Sequence, residues 1–251
     1  MTPRLRNPTA PRVRIDRLLV ERGLFESRAK AQAAIAAGRV TADEAVVAKP
    51  SDEVSAEAVL RAEPAHPWVS RAGVKLAAAL DHFRFDPSGC VCLDVGASTG
   101  GFTQVLLARG ARRVYAVDVG QRQLHASLQA HPEIVSIEKT DIRALDPALL
   151  SEPPNFVTID VSFISLELVL PAALGLAQAP ARALALIKPQ FEAGRRALKK
   201  GIVRDPLVHA AVCDHIAEFV ASLGWRVAGI VPSPIAGGDG NHEFFIAASH
   251  R

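Results

Sequence analysis

The sequence predicts an α/β protein, with an open, mostly parallel, doubly wound sheet in its larger C-terminal part and a small basic α+β module ahead of it. Three observations predict this. From Cys90 onward, short strand-like runs alternate with helical stretches. The first of these strands runs through a glycine-rich turn straight into a helix, in "CLDVGASTGGFTQVLLARG" (92–110). Positive charge is gathered at the front: residues 1–39 hold nine Arg or Lys against three acids, a net of +6, so residues 40–251 net −3 within a total of +3. A basic module on a mildly acidic body points to a polyanion partner for the first part only, against the alternative of a solvated helix face.

Residues 1–11 are polar and proline-containing and read as a tail. "RIDRLLVERGLFESRAKAQAAIAAGRV" then reads as two helices. The first carries Ile15, Leu18 and Leu19 at helical spacing and stops at Gly23; the second opens at Ser27 as N-cap and ends at Gly38. Short β-like runs follow around Val46–Val47 and Val54–Leu60. The prolines of "EPAHPW" (63–68) mark a linker. The boundaries expected are 12–63 for the basic module, 64–70 for the linker and 71–251 for the larger domain. In that domain the strands expected are Val91–Val95, Arg113–Val117, Ile134–Glu138, Phe156–Ile159, Ala183–Ile187, Trp225–Val231 and Glu243–Ala248. The apolar stretch Leu168 to Ile187 is broken by Pro171, Gln178, Pro180 and Arg182, so it reads as a buried helix and strand, not a membrane span. Arginines and prolines precede any apolar run, so no signal peptide is expected. Cys90, Cys92 and Cys213 lack metal-ligand spacing and read as small buried thiols of a cytoplasmic protein, with no metal.

The glycine turn narrows the ligand. A dinucleotide fingerprint needs G-x-G-x-x-G, but here Ser98 stands where the middle glycine belongs, between Gly96 and Gly100–Gly101. A G-x-x-x-x-G-K-[ST] phosphate loop is absent too. What is present is a strand carrying Asp94, a tight loop and a helix. A second strand ends in Asp118, suited to the two hydroxyls of a ribose, and Asp141 stands after a third, where an adenine amino group would donate. A nucleoside without a phosphate bridge fits, namely S-adenosylmethionine. A structural turn in another doubly wound protein is the alternative on these residues alone. Further charges stand at strand ends: Asp160 in "IDVSFISL", Lys188 in "ALIKPQFEAGR" and Glu243 in "NHEFF", with Lys75 upstream in "WVSRAGVKL". A doubly wound sheet converges such positions on one crevice. The alternative is a surface helix lysine and an edge charge.

These segments, with "LDVGASTGGFT" and "KGIVRDP", resemble the successive methyltransferase motifs of the TlyA family, the hemolysin A-like rRNA 2′-O-methyltransferases, over nearly the whole chain. The front part resembles an S4 RNA-binding domain. One departure falls there: in place of the family's Val-Asn-Gly turn this chain reads "VTADEAVVAKPSDEV", which bears on the tip of the S4 hairpin. The resemblance implies a Rossmann-like, FtsJ-like domain using S-adenosylmethionine, with Lys75, Asp160, Lys188 and Glu243 as the catalytic tetrad. It implies cofactor contacts from Gly96, Ala97, Ser98, Gly100, Gly101, Asp118, Val119, Asp141, Ile142 and Asp160. It implies RNA contacts from Arg14, Arg17, Arg28, Lys30 and Arg39. The partner implied is ribosomal RNA within ribosomal subunits, with no membrane, and the acceptor a cytidine ribose: 23S rRNA first, given the modest termini, with 16S rRNA as a second acceptor.

In that chemistry Lys188 is the expected base for the ribose hydroxyl, and Lys75 stabilises the developing alkoxide. The loop "GRRALKKG" (194–201) is either a second RNA contact or a solvated lid. Competing functions are a small-molecule or protein methyltransferase, a base methyltransferase, a membrane-active hemolysin and a noncatalytic RNA-binding protein. The S4-like segment argues against the first, the tetrad against the second and last, and the lack of an apolar span against the third.

Overall fold

The computed structural model describes residues 11–194 and 197–251. The chain divides into two compact units, Met1–Pro67 and Trp68–Arg251. Apart from Pro11, the expected tail lies outside the described residues.

The first unit runs β1 (Arg12–Arg14), α1 (Ile15–Glu21), α2 (Arg28–Ala36), β2 (Val40–Ala42), β3 (Ala45–Val46), β4 (Glu53–Ser55) and β5 (Leu60–Ala62). Both expected helices form. Ser27 caps α2, its Oγ accepting from the Lys30 N–H at 3.3 Å. Ile15, Leu19, Ala31, Ala34, Ile35 and Val40 make a small core. The strands pair as β1–β4 and as β3–β2–β5, all antiparallel. β1 and β2 were not expected, and β4 and β5 were run together, because three-residue strands are too short to display a two-residue period. The β2–β3 turn answers the missing Val-Asn-Gly. Asp43 (φ 48°) and Glu44 (φ 70°) both adopt the left-handed conformation that a two-residue hairpin turn demands. Asp43 is tied down by its own N–H donating to the Val59 carbonyl (2.9 Å) and its Oδ1 accepting from the Val59 N–H (3.0 Å).

The second unit opens with α3 (Arg71–Phe83). Then come β6 (Val91–Val95), α4 (Gly101–Ala108), β7 (Arg113–Val117), α5 (Ala126–Gln129), β8 (Ile134–Ile137) and β9 (Phe156–Ile159). α6 (Leu166–Gly175), β10 (Ala181–Ile187), α7 (Pro189–Glu192), α8 (Pro206–Ser222), β11 (Arg226–Pro232) and β12 (Phe244–His250) complete it. All seven expected strands are present. Their order is β11-β12-β10-β9-β6-β7-β8. β10, β9, β6, β7 and β8 run parallel, and β12 is antiparallel to both neighbours. Every residue of β6 and β9 is buried, as expected of parallel strands covered on both faces. Leu76 and Leu80 of α3 and Phe102 and Leu106 of α4 lie in one core with Phe245, while Leu166 and Leu170 of α6 and Ile216 and Val220 of α8 belong to another. The stretch Leu168–Ile187 resolves into the rest of α6 and β10. Among the described residues no helix is long and apolar enough to cross a membrane. From β6 the chain builds outward to β7 and β8, then returns to β9 on the other side. That switch point opens a crevice at the carboxyl ends of the strands.

Candidate active site

The glycine loop forms one wall of the crevice. Gly96 has φ 82°, and a Cβ there would collide with the carbonyl oxygen of Asp160, so only glycine lets the loop lie against the end of β9. The Gly96 and Ala97 N–H groups donate to the Val117 carbonyl (2.9 and 3.2 Å), tying the loop to β7. Asp118, just past β7, accepts from the Ser98 N–H at Oδ2 (2.8 Å) and from the Gly120 N–H at Oδ1 (2.6 Å). Each oxygen keeps a lone pair free for a further donor, which is what a vicinal diol supplies. A cavity of about 360 Å³ lies over these strand ends, lined by Gly96, Ser98, Asp118, Val119, Asp141, Ile142 and Asp160. Its size is in the range of small-molecule sites. A carboxylate with two open acceptor positions, beside an exposed Val119 and a buried Ile142, fits a nucleoside.

Asp141 stands on the same wall, but Arg143 already donates to both of its oxygens, at 2.6–3.1 Å. That contact holds its carboxyl below the ordinary carboxylate range. An incoming amino group has to share it. Ala97 and Gly101 line a second cavity, whereas Gly100 lines neither: it is the left-handed N-cap of α4, against the Leu124 and Leu128 side chains.

This second cavity, of about 300 Å³, shares Gly96, Ser98, Asp160 and Ser162 with the first and adds Lys75 and Lys188. Four separate elements bring the tetrad together as two ion pairs. Lys188 directly follows β10, and Pro189, the first residue of α7, fixes the turn after it. Its Nζ lies 2.6 Å from Asp160 Oδ1 and donates to Ser162 Oγ at 2.8 Å. Lys75, in α3, places its Nζ 2.5 Å from Oε2 of Glu243, the residue before β12. Glu243 is only 4% exposed and stands behind Lys75, off the cavity wall. Two lysine side chains thus line one space, each directed by a carboxylate.

Three neighbours were not foreseen. Ser162 completes the Lys188 contact, two residues after Asp160. Phe163 is 90% exposed, has φ 64° and lines the first cavity, a left-handed conformation for a bulky residue that no sequence pattern announces. Asp94 is fully buried and accepts from Thr103 Oγ1 (2.6 Å) and Thr158 Oγ1 (3.0 Å), joining β6, α4 and β9 beneath the loop. Burial pushes its carboxyl up to about 7, against the two threonine hydrogen bonds, which pull it down. Its place on the first strand was visible, its two partners were not.

In the first unit the expected RNA-binding residues are mostly partnered. Arg14 donates to Asp16 through Nε and Nη2 (3.2 and 3.1 Å), and Arg28 donates to the same carboxylate at 2.7 Å. Asp16 is fully buried, also accepts from Gln32 (2.9 Å), and is held well below the usual carboxylate range, chiefly by Arg14. Lys30 pairs with Glu26 (2.5 Å) and Arg39 with Glu63 (3.2 Å). Arg17 is exposed with no ion pair among the described residues. Of the basic loop 194–201, Arg195 and Arg196 lie outside the described residues.

Known proteins resemble both units. The model of the FtsJ-like methyltransferase family matches residues 68–250, and that of the S4 domain matches residues 13–60. The 16S/23S rRNA (cytidine-2′-O)-methyltransferase TlyA of Mycobacterium tuberculosis is 43% identical over 94% of this chain and 90% of its own length. The 23S rRNA (cytidine-2′-O)-methyltransferase TlyA of Campylobacter jejuni is 38% identical over 71% of this chain and 69% of its own. A solved structure of a hemolysin candidate from Streptococcus thermophilus superimposes with a TM-score of 0.75 at 39% identity, covering 96% of this chain and 90% of that one.

Proposed function

The chain belongs to the TlyA family of FtsJ-like methyltransferases, with an S4 domain ahead of the methyltransferase domain, and on that premise we propose that it methylates a cytidine ribose 2′-hydroxyl in ribosomal RNA. The observation that carries the proposal is the pair of lysines, each bound to its own carboxylate, at the end of a cleft that suits a nucleoside. S-adenosylmethionine, when bound, supplies an electrophilic methyl group and a neutral leaving group. Asp118, the loop at Gly96–Ser98, Val119 and Ile142 would hold its nucleoside, Asp141 would add an acceptor it shares with Arg143, and Asp160 would face its amino-acid end.

The chain's own residues supply the rest. A ribose hydroxyl is a weak nucleophile until its proton is withdrawn. Lys188 Nζ accepts that proton in its free-amine form, aimed by Asp160 and Ser162. Lys75 Nζ, directed by Glu243, stabilises the negative charge that develops on the oxygen. The walls of the lysine cavity hold the hydroxyl in line with the methyl group, and such positioning supplies much of a rate enhancement. In the S4 unit, Arg14 and Arg28 on Asp16, with Arg17, Lys30 and Arg39, bind RNA phosphates and set the substrate's position without reading its bases. The substrate is the ribosomal subunit, which places the enzyme in the cytoplasm. The large subunit is the first acceptor, and the similarity to a 16S/23S enzyme makes the small subunit the second to assay.

The test is tritium transfer from labelled S-adenosylmethionine to purified 50S and 30S subunits that lack the modification, with Lys188→Ala alongside. The expected result is label in a 2′-O-methylcytidine of 23S rRNA that resists alkaline cleavage, and its loss in the variant. Folded, cofactor-binding protein that labels neither subunit overturns the ribosomal-subunit acceptor and moves the search to other RNAs and then to small molecules.

A further inference from the structure

Between α7 and α8 the chain makes a tight hairpin that the chemistry above does not use. Lys199 and Ile202 pair as an antiparallel bridge, each N–H donating to the other's carbonyl at 3.0 and 3.1 Å. The two residues they enclose, Lys200 (φ 53°) and Gly201 (φ 80°), are both left-handed, as in a two-residue hairpin turn. A lysine in that conformation costs about 1–2 kcal/mol relative to the ordinary one, so something holds it. The holder is Asn241, 1% exposed. Its Oδ1 accepts from the Val203 N–H (3.1 Å) and its Nδ2 donates to the Gly201 carbonyl (3.0 Å). Val203 itself is fully buried. The hairpin backbone is thus pinned on both sides of Ile202.

What the pinned backbone presents is charge. Lys199, Lys200 and Arg204 are exposed and have no carboxylate partner among the described residues. Most of the S4-unit cations described above do have one. The nearest acid in the chain, Asp205, is occupied in capping α8, its Oδ1 accepting from the Leu207 N–H at 2.9 Å. The hairpin's clamp stands close along the chain to one member of the tetrad. Asn241 precedes Glu243 by two residues, at most about 7 Å of chain.

We propose that this hairpin is a phosphate-binding arm of the active site, in which Lys199, Lys200 and Arg204 grip the RNA backbone beside the nucleotide whose ribose enters the lysine cavity. It rests on the RNA-methylating function proposed above. A solvated surface loop needs neither a strained turn nor a buried amide clamp. A contact that must place one hydroxyl against one lysine needs both, because phosphate contacts set register and a loose arm sets none.

The test measures RNA affinity and methylation kinetics of the full chain with Lys199→Ala/Lys200→Ala, using 50S subunits that lack the modification and a 23S rRNA fragment. Two lost phosphate contacts flatten the log–log salt dependence of RNA binding by about 1.5, and at about 0.1 M salt they weaken it about tenfold or more. The loss in kcat/KM is expected in KM, with the affinity for S-adenosylmethionine unmoved. Lys199→Arg/Lys200→Arg keeps the wild-type salt slope. Asn241→Ala, with every cation retained, raises KM in the same direction. A wild-type salt slope and KM in the alanine double variant overturn the proposal, and so does a loss confined to kcat. If wild-type protein methylates no RNA, the function above fails, while the salt slope of RNA binding still decides the hairpin's role.

Discussion

Lys75→Met and Glu243→Gln, made singly and together, separate what the buried ion pair does for folding from what it does for chemistry. At 2.5 Å the two charges attract by about 7 kcal/mol at an effective dielectric constant of about 20. Most of that is offset by the cost of taking both ions out of water, since the side chains are only 9% and 4% exposed. The consequence appears when one partner is removed. Lys75→Met strands a buried carboxylate and is expected to cost about 3–5 kcal/mol. Glu243→Gln costs less, because the amide oxygen still accepts from Lys75. The double variant leaves no unpaired ion at this position and recovers most of the loss. In a unit of this size 1 kcal/mol moves the melting temperature by about 2–4 °C, so Lys75→Met lowers it by about 6–20 °C and the double variant by only a few degrees. Calorimetry reads the stabilities, and single-turnover methyl transfer to 50S subunits reads the chemistry. Activity is expected to fall by about 10²-fold or more in all three. Melting shifts that simply add, within about 0.5 kcal/mol, would show that the pair is not coupled. Wild-type activity in the stable double variant would remove Lys75 from the mechanism.

Two further perturbations test the surroundings. Asp94 has its carboxyl raised to about 7 in the folded state, against about 3.9 unfolded, so the native protein binds the extra proton between those values. Its contribution to stability is therefore full below about pH 4 and is lost as pH rises through about 7, by an amount on the order of 4 kcal/mol. The stability difference between wild type and Asp94→Asn should shift against wild type across that window; a difference that stays flat with pH sinks the assignment. Asp16→Asn removes one negative charge from the S4 unit, which by charge alone should tighten RNA binding. If Asp16 instead holds Arg14 and Arg28 in place, filter binding at fixed salt shows weaker affinity with the S4 unit still folded by circular dichroism, and tighter binding refutes that role.

Much of the site was legible because it is written in strand ends. An apolar run announces a buried strand, and the residue after it must lie at the sheet's edge, so Asp118, Asp160 and Lys188 declared their location by position alone. Lys75 and Glu243 were harder. One sits in α3, the helix that opens the second unit, and the other before an antiparallel final strand, and neither setting predicts burial. Ser162 and Phe163 followed a legible residue but gave no sign of their contacts. In the S4 unit the count of cations was visible, but not that Asp16 binds two of them or that Glu26 and Glu63 take two more. The hairpin turn at Asp43–Glu44 was obscured for a related reason: it is held in a left-handed conformation through the clamp of Asp43 on Val59, 16 residues away and invisible to local propensity.

By itself the sequence determined the order of strands and helices, the basic front module, the glycine loop and the residue types available at the strand ends, because these depend on local period and local chain stiffness. Only the tertiary structure decided which lysine meets which carboxylate, that Glu243 stands behind Lys75 instead of on the wall, and that Asn241, two residues before Glu243, pins a basic hairpin 40 residues away along the chain. Those pairings join residues as far as 168 positions apart. They are set by which strands lie side by side and by the high cost of leaving a buried charge or amide without a partner, and neither can be read along a chain.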